Sequence, residues 1–178
     1  MIHGAMTPGQ LEPIDATVDH VRGASGHLIL EYGDYECPYS RQAYREIEHV
    51  EQKLGGGVRF AFRHFPLTQI HPHAADAATA AEAASLQDRF WEMHDLLFHR
   101  QKALEVDDLR RYAAHLGLDL ACFDEARGGD AVLRRVARDM SSGIESGQVL
   151  GTPTLFIDGA LHRGGFDAPT LIQALGAD

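Results

Sequence analysis

The strand–helix–strand pattern of residues 27–64 is the feature that most constrains the fold of this 178-residue chain. The apolar run HLILEYG is typical of a buried strand ending at Gly33, and VRFAFRHF places alternate apolar residues on one face of a second strand. Between them, Pro38 opens a segment with apolar residues at helical spacing, and the glycines at 55–57 end it. Two strands joined by one helix are expected to lie parallel, with a right-handed crossover. The pattern therefore predicts an α/β fold.

Composition limits the class of protein. Hydrophobic residues make up 44% of the chain, which is enough for one sizeable core. The formal net charge of −10 at pH 7 argues against nucleic-acid or anionic-membrane partners, because phosphates are bound by clustered Lys and Arg. No run approaches the roughly 18 apolar residues of a membrane span, and the N-terminus lacks the features of a secretory signal. We therefore expect no membrane segment and a cytoplasmic location.

The rest of the chain divides into three kinds of segment. Residues 1–26 are rich in Gly, Pro and Asp and are predicted to form an irregular N-terminal arm. Residues 71–147 have helical periodicity throughout and are predicted to form a helical insert. Strand character returns in TPTLFIDG, and a final helix follows. We therefore expect residues 27–70 and 148–178 to form one α/β domain, interrupted by the insert.

Cysteine usage points to chemistry rather than cross-linking. The chain has two cysteines, Cys37 and Cys122, which are too few for a disulfide framework. Cys37 lies at the start of the predicted helix, where free backbone N–H groups and the helix dipole favour a thiolate. The alternative is that Cys37 is a small buried hydrophobic residue. Asp34 and Glu36 would oppose the thiolate if their carboxylates pointed towards it.

Five stretches in order, LEYGDYECPYS, FRHFPL, HPHA, FWEMHDLLF and GTPTLFIDG, resemble the DsbA-like family of the thioredoxin superfamily, over about residues 18–176. The resemblance implies a thioredoxin fold with an inserted helical domain, in which a cis-proline loop packs against the reactive cysteine. It implies that Cys37 is the attacking thiol and that Pro38 and Tyr39 tune it. Thr152 and Pro153 are then expected to bind an extended polypeptide substrate, with a cis bond before Pro153.

Ser40 departs from that family's pattern, because it stands where the second, resolving cysteine is common. No disulfide can form within the motif, so a mixed disulfide on Cys37 must be released by an external thiol, such as glutathione or a substrate cysteine. This chemistry favours disulfide isomerisation or deglutathionylation. The Ser40 hydroxyl could bond to the Cys37 sulfur or serve as a cap-like polar group. Cys122, 85 residues from Cys37, is a less favoured internal resolver.

Several functions remain compatible with the sequence. The leading one is a DsbA-like thiol–disulfide oxidoreductase or isomerase that acts through Cys37 alone on polypeptide thiols and disulfides. A glutathione-dependent transferase or isomerase similar to the kappa class would use Ser40 to activate glutathione. A non-catalytic peptide-binding module, of the kind fused to a membrane protein in some family members, would not need a second thiol. An engineered Ser40 would imply that the native protein is a dithiol oxidoreductase.

The histidines suggest no metal site. His71 and His73 form the motif HPH, with His64, His94 and His99 elsewhere, but no Cys or carboxylate joins them at zinc-like spacing. We therefore expect neither a metal nor a bound cofactor, with glutathione as a possible co-substrate. His64 ends the second predicted strand and is expected to have a core or surface role, or to lie near Cys37 as an electrostatic partner.

Overall fold

The structure is a computed structural model that describes residues 10–177, with a mixed α/β fold. Residues 1–9, the first part of the predicted arm, lie outside the described residues. The elements in chain order are β1 His20–Arg22, β2 His27–Gly33, α1 Pro38–Leu54, a 3₁₀ turn Gly55–Gly57, β3 Val58–His64, α2 Ala74–Ser85, α3 Phe90–His99, α4 Val106–His115, α5 Leu120–Arg127, α6 Asp130–Ser146, β4 Thr154–Ile157, β5 Ala160–Leu161 and α7 Ala168–Ala174.

The described strands form one five-stranded sheet in the order β1–β3–β2–β4–β5. β2 and β3 pair in parallel, as the strand–helix–strand pattern predicts. The pairs β1–β3, β2–β4 and β4–β5 are antiparallel. This arrangement places the C-terminal end of β2, which leads into α1, beside the start of β4.

Helix α1 forms where the sequence predicts it. Pro38 occupies its first turn, where a missing N–H costs nothing, and Cys37 is the N-cap residue with extended backbone. Tyr44, Ile47 and Val50 are buried on one side of the helix. The helix ends before Gly55, whose φ of 53° is unfavourable for a side chain.

Five helices, α2–α6, follow β3 and precede β4, so the predicted helical region is helical. Its treatment as a separate domain stays a prediction. Helix α2 is rich in alanine and almost entirely buried, and it contacts α3, α5 and α6. Small side chains allow neighbouring helices to approach α2 closely. Among residues 10–177, no helix is long and apolar enough to cross a membrane.

The two faces of the sheet carry separate apolar clusters. Ile29, Phe60 and Phe62 belong to the cluster that includes residues of α1 and α7. Leu30 and Tyr32 belong to a smaller cluster on the opposite face. Because side chains alternate along a strand, Glu31 shares the face of Ile29, on the α1 side of the sheet.

Part of the segment that the sequence suggested to be irregular is ordered by a buried ion pair. Strand β1 was not predicted, because three residues without strong periodicity give little signal and their partner, β3, is distant in sequence. Arg63 on β3 is fully buried and pairs with Asp19 at 2.9 Å. The same guanidinium donates hydrogen bonds to the carbonyl oxygens of Glu12 and Pro13, at 2.9 and 3.0 Å. These contacts fix residues 12–19 to the sheet.

Candidate active site

The Cys37 sulfur lies against the loop that carries Pro153. The thiol donates a hydrogen bond to the carbonyl oxygen of Thr152, with Sγ and O 3.3 Å apart. The bond between Thr152 and Pro153 is cis, which confirms the expectation for this loop. Cys37 is 3% exposed, so its sulfur is largely covered by the surrounding residues. The tertiary structure therefore brings together the CPYS motif and the Thr152–Pro153 loop, as the family resemblance implies.

Ser40 lies beneath Cys37 in the first turn of α1 and is 0% exposed. Its hydroxyl accepts a hydrogen bond from the backbone N–H of Asp34 at 3.2 Å. The backbone N–H of Cys37 donates to the Asp34 carbonyl at 3.1 Å, which closes the turn of residues 34–37, here called the active-site loop. The hydroxyl is thus engaged with this loop, whereas the Cys37 thiol is engaged with Thr152.

The two acidic residues of the active-site loop face histidines rather than the sulfur. Asp34 is buried, and its Oδ2 accepts a hydrogen bond from the N–H of Leu67 and lies 2.8 Å from His71 Nδ1. Glu36 Oε1 lies 2.9 Å from His73 Nδ1. The histidines of the HPH motif are therefore the partners of both carboxylates.

Glu31 is a third acidic group of the site, and sequence reasoning missed it. It is fully buried on β2, and within the described residues neither carboxylate oxygen has a partner at hydrogen-bond geometry. Burial raises the pKa of Glu31 to about 8, although Ser40 and Arg22 act in the opposite direction. The signal that could have revealed it is the single charged residue inside the apolar run HLILEYG.

The helical segment α2–α6 also contacts the active-site loop through Gln101 and His94. The Gln101 side-chain amide donates hydrogen bonds to the carbonyl oxygens of Tyr35 and Cys37, at 2.7 and 2.9 Å. The Tyr35 ring is buried against Phe62, and its hydroxyl lies 3.0 Å from His94 Nδ1. These contacts hold the backbone that presents Cys37, and no sequence pattern indicated them.

His64 belongs to a buried polar network with Glu82 and Asp139. Its Nε2 lies 2.8 Å from Glu82 Oε1, and its backbone N–H donates to Asp139 at 2.9 Å. These three side chains are close enough to hold a metal ion. However, Glu82 also contacts His20 at 2.9 Å, and Asp139 pairs with Arg135. The ligand atoms are thus engaged in hydrogen bonds and ion pairs, and His64 has a core role.

Large apolar and aromatic side chains are exposed in the two segments that carry Cys37 and Pro153. Tyr39, in the first turn of α1, is 64% exposed, and Leu150, shortly before the cis bond, is 91% exposed. Leu150, Pro153 and Phe166 line a cleft of about 170 Å³ beside the loop. An extended chain with apolar side chains fits such a surface.

Comparison with known proteins agrees with this geometry. The family model of the DSBA-like thioredoxin domain matches residues 28–176. A thioredoxin-like oxidoreductase from Silicibacter pomeroyi DSS-3 is 26% identical, with a TM-score of 0.78 over 89% of this chain and 90% of its own. Oxidised BdbD from Bacillus subtilis shares the fold, with a TM-score of 0.80 at 19% identity over 96% of this chain and 97% of its own.

A curated relative is much longer than this chain. The Na(+)/H(+) antiporter NhaA 1 of Mycolicibacterium gilvum (strain PYR-GCK) is 44% identical over 171 residues. That match covers 94% of this chain but 28% of the antiporter. Because the family model spans most of the chain, this protein belongs to the DSBA-like thioredoxin domain family.

Proposed function

We propose that this chain performs thiol–disulfide exchange through a single nucleophile, Cys37, on polypeptide disulfides. The observation that carries the proposal is the position of the Cys37 sulfur at the N-terminus of α1, 3.3 Å from the Thr152 carbonyl oxygen. The free N–H groups and dipole of that terminus favour a thiolate. Pro38 and Tyr39 shape the turn beside it, and Thr152 and Pro153 form the edge along which an extended substrate binds.

The exchange step conserves atoms and electrons. The Cys37 thiolate forms a bond to one sulfur of a substrate disulfide, and the other sulfur leaves as a thiolate. Because position 40 carries a hydroxyl, the mixed disulfide persists until a second thiol attacks it. That thiol is supplied by the substrate itself, which gives isomerisation, or by glutathione, which gives reduction or deglutathionylation. Glutathione is then a co-substrate, and no bound cofactor takes part.

Incubation with glutathione disulfide tests the proposal. Intact mass measurement of the Cys122→Ser variant is expected to show one glutathione per chain, removable by added thiol. The matched Cys37→Ser variant, which keeps Cys122, is expected to form a glutathione adduct much more slowly than the Cys122→Ser variant does. In a Ser40→Cys variant the adduct should give way to an internal disulfide. If Cys37 stays a free thiol throughout, the proposal is wrong.

The kappa-like alternative is weakened by the burial of Ser40. A hydroxyl that activates glutathione must contact the glutathione sulfur, but the Ser40 side chain is 0% exposed and bonded to the Asp34 N–H. Under that alternative, Ser40→Ala abolishes the reaction with glutathione. Under the monothiol mechanism, Ser40→Ala still forms the adduct on Cys37.

A peptide-binding module is the second candidate. Two observations favour it. The motif lacks a second thiol, and in the antiporter relative the region that matches this chain is only 28% of a longer protein. A domain of this kind would hold an extended segment in the cleft beside Pro153 without turnover. Peptide binding that is retained in Cys37→Ser, together with no glutathione adduct in the unchanged protein, would favour this function over catalysis.

A further inference from the structure

We propose that His73 is a positioning residue for Cys37. Its protonated ring, held between Glu36 and Glu105, offsets the negative charge of Glu36, the residue before Cys37, and fixes the active-site loop to the helical segment. This inference rests on the proposed role of Cys37 as nucleophile.

The hydrogen bonds of His73 define its charge state. Its backbone N–H donates to Glu36 Oε2 at 2.7 Å, and its Nδ1 lies 2.9 Å from Glu36 Oε1. On the other side of the ring, Nε2 lies 3.2 Å from Glu105 Oε1. Carboxylates only accept hydrogen bonds, and a neutral imidazole has one N–H, so bonds on both sides require the imidazolium form. In agreement, the hydrogen bond with Glu36 is the main cause that raises the pKa of His73 above its usual value.

The position of Glu36 explains why this charge matters. Glu36 immediately precedes Cys37, and an unpaired carboxylate there disfavours a neighbouring thiolate. His73 is the N-cap residue of α2, and Glu105 is the N-cap residue of α4. The ring therefore joins the active-site loop to the first turns of two helices.

The spacing of the motif supports this pairing. Asp34 and Glu36 are two residues apart, as are His71 and His73, and each acid meets the histidine 37 residues later. Within the described residues, the hydrogen bonds of the Glu36 side chain are those with His73. The other titratable or charged groups in the active-site loop, in the residues leading into α2 and in the first turns of α1, α2 and α4 are Asp34, Tyr35, Tyr39, Arg41, His71, Asp76, Asp107 and Asp108, and Glu31 lies on β2.

A charge cycle on the pair tests the inference. All variants are made in Cys122→Ser, so that Cys37 is the one thiol, and its rate of alkylation by iodoacetamide is measured from pH 5 to 9. We expect His73→Gln to slow alkylation about three- to tenfold at pH 7 and to move the profile to higher pH, as one uncompensated nearby charge would. Glu36→Gln is expected to accelerate it. The double variant, with neither charge, is expected within about twofold of the parent.

Further variants separate charge from structure. Glu105→Gln alters an exposed side chain and removes one of the two carboxylates that stabilise the charged ring, so the ring should lose its charge, and alkylation should slow towards that of His73→Gln, from a lower pH than in the parent. His49→Gln, an exposed histidine on α1, is the matched control and should leave the profile unchanged. Thermal unfolding of each variant identifies those that do not fold, and Glu105→Gln keeps the inference testable if His73→Gln is among them.

Two results would overturn the inference. One is an unchanged profile in both His73→Gln and Glu105→Gln. The other is a double variant as slow as His73→Gln, since loss of the anchor and not of the charge would then explain the effect. A parent protein whose Cys37 neither alkylates nor forms the glutathione adduct refutes the proposed function itself. Normal Cys37 chemistry that is insensitive to these variants refutes only the role of His73.

Discussion

Replacing the buried Glu31 with glutamine is expected to change how stability depends on pH. Glu31 has an ordinary pKa of 4.5, which burial raises to about 8 in the folded protein. Below pH 4.5 the carboxyl is protonated in both states and its ionisation costs nothing. Between the two values, the unfolded chain binds fewer protons than the folded one, so the free energy of unfolding falls as pH rises. Above pH 8 the loss is complete.

The magnitude follows from the two pKa values. Ionisation of Glu31 should remove about 3 kcal/mol of unfolding free energy between pH 5 and pH 8, in addition to the effects of other groups. Glu31→Gln keeps the shape of the side chain but carries no charge at any pH. The buried amide adds a cost of its own, but that cost is independent of pH. The difference between variant and parent should therefore grow by about 3 kcal/mol in favour of the variant over this range.

Urea denaturation at pH 5, 6, 7 and 8, followed by circular dichroism, measures this difference. Glu125→Gln, on the exposed surface of α5, is the matched control, because it makes the same substitution at a position outside the core. A Glu31→Gln protein whose unfolding free energy runs parallel to that of the parent would show that Glu31 ionises normally. The account of a desolvated acid beneath the active site would then be wrong.

Three further substitutions test buried contacts at the site and elsewhere in the fold, each by urea denaturation. Thr152→Val removes a buried hydroxyl that has no hydrogen-bond partner among the described residues, so it should raise the free energy of unfolding by about 1 kcal/mol. A lower free energy of unfolding would mean that the hydroxyl does make a hydrogen bond. Gly143→Ala places a Cβ 3.0 Å from the Phe65 ring and should cost about 1–3 kcal/mol; a neutral result would show that α6 can move away. Asp19→Asn leaves the buried Arg63 charge poorly paired and should cost about 3–5 kcal/mol, whereas a loss below about 1 kcal/mol would contradict a buried ion pair.

Local sequence patterns predicted much of the fold. The β2–α1–β3 unit, the parallel pairing of its strands and the helical character of α2–α6 all follow from hydrophobic periodicity and from glycine and proline positions. The same patterns placed Cys37 at the start of α1. Strand β1 was missed because its structure depends on pairing with β3 and not on its own three residues.

The sequence by itself determined most of the secondary structure, apart from β1, and the position of Cys37 at the start of α1, because both depend on neighbours within a few residues. The family resemblance predicted that the loop of Thr152 and Pro153 packs against Cys37, but only the tertiary structure decided which other groups contact the active-site loop. The Thr152 carbonyl that accepts the Cys37 hydrogen bond lies 115 residues away, and the histidines that face Asp34 and Glu36 each lie 37 residues away. The raised pKa of Glu31 likewise depends on complete removal from water. Hydrogen bonds and desolvation act through space, so periodicity along the chain cannot encode them where the partners are brought together only by folding.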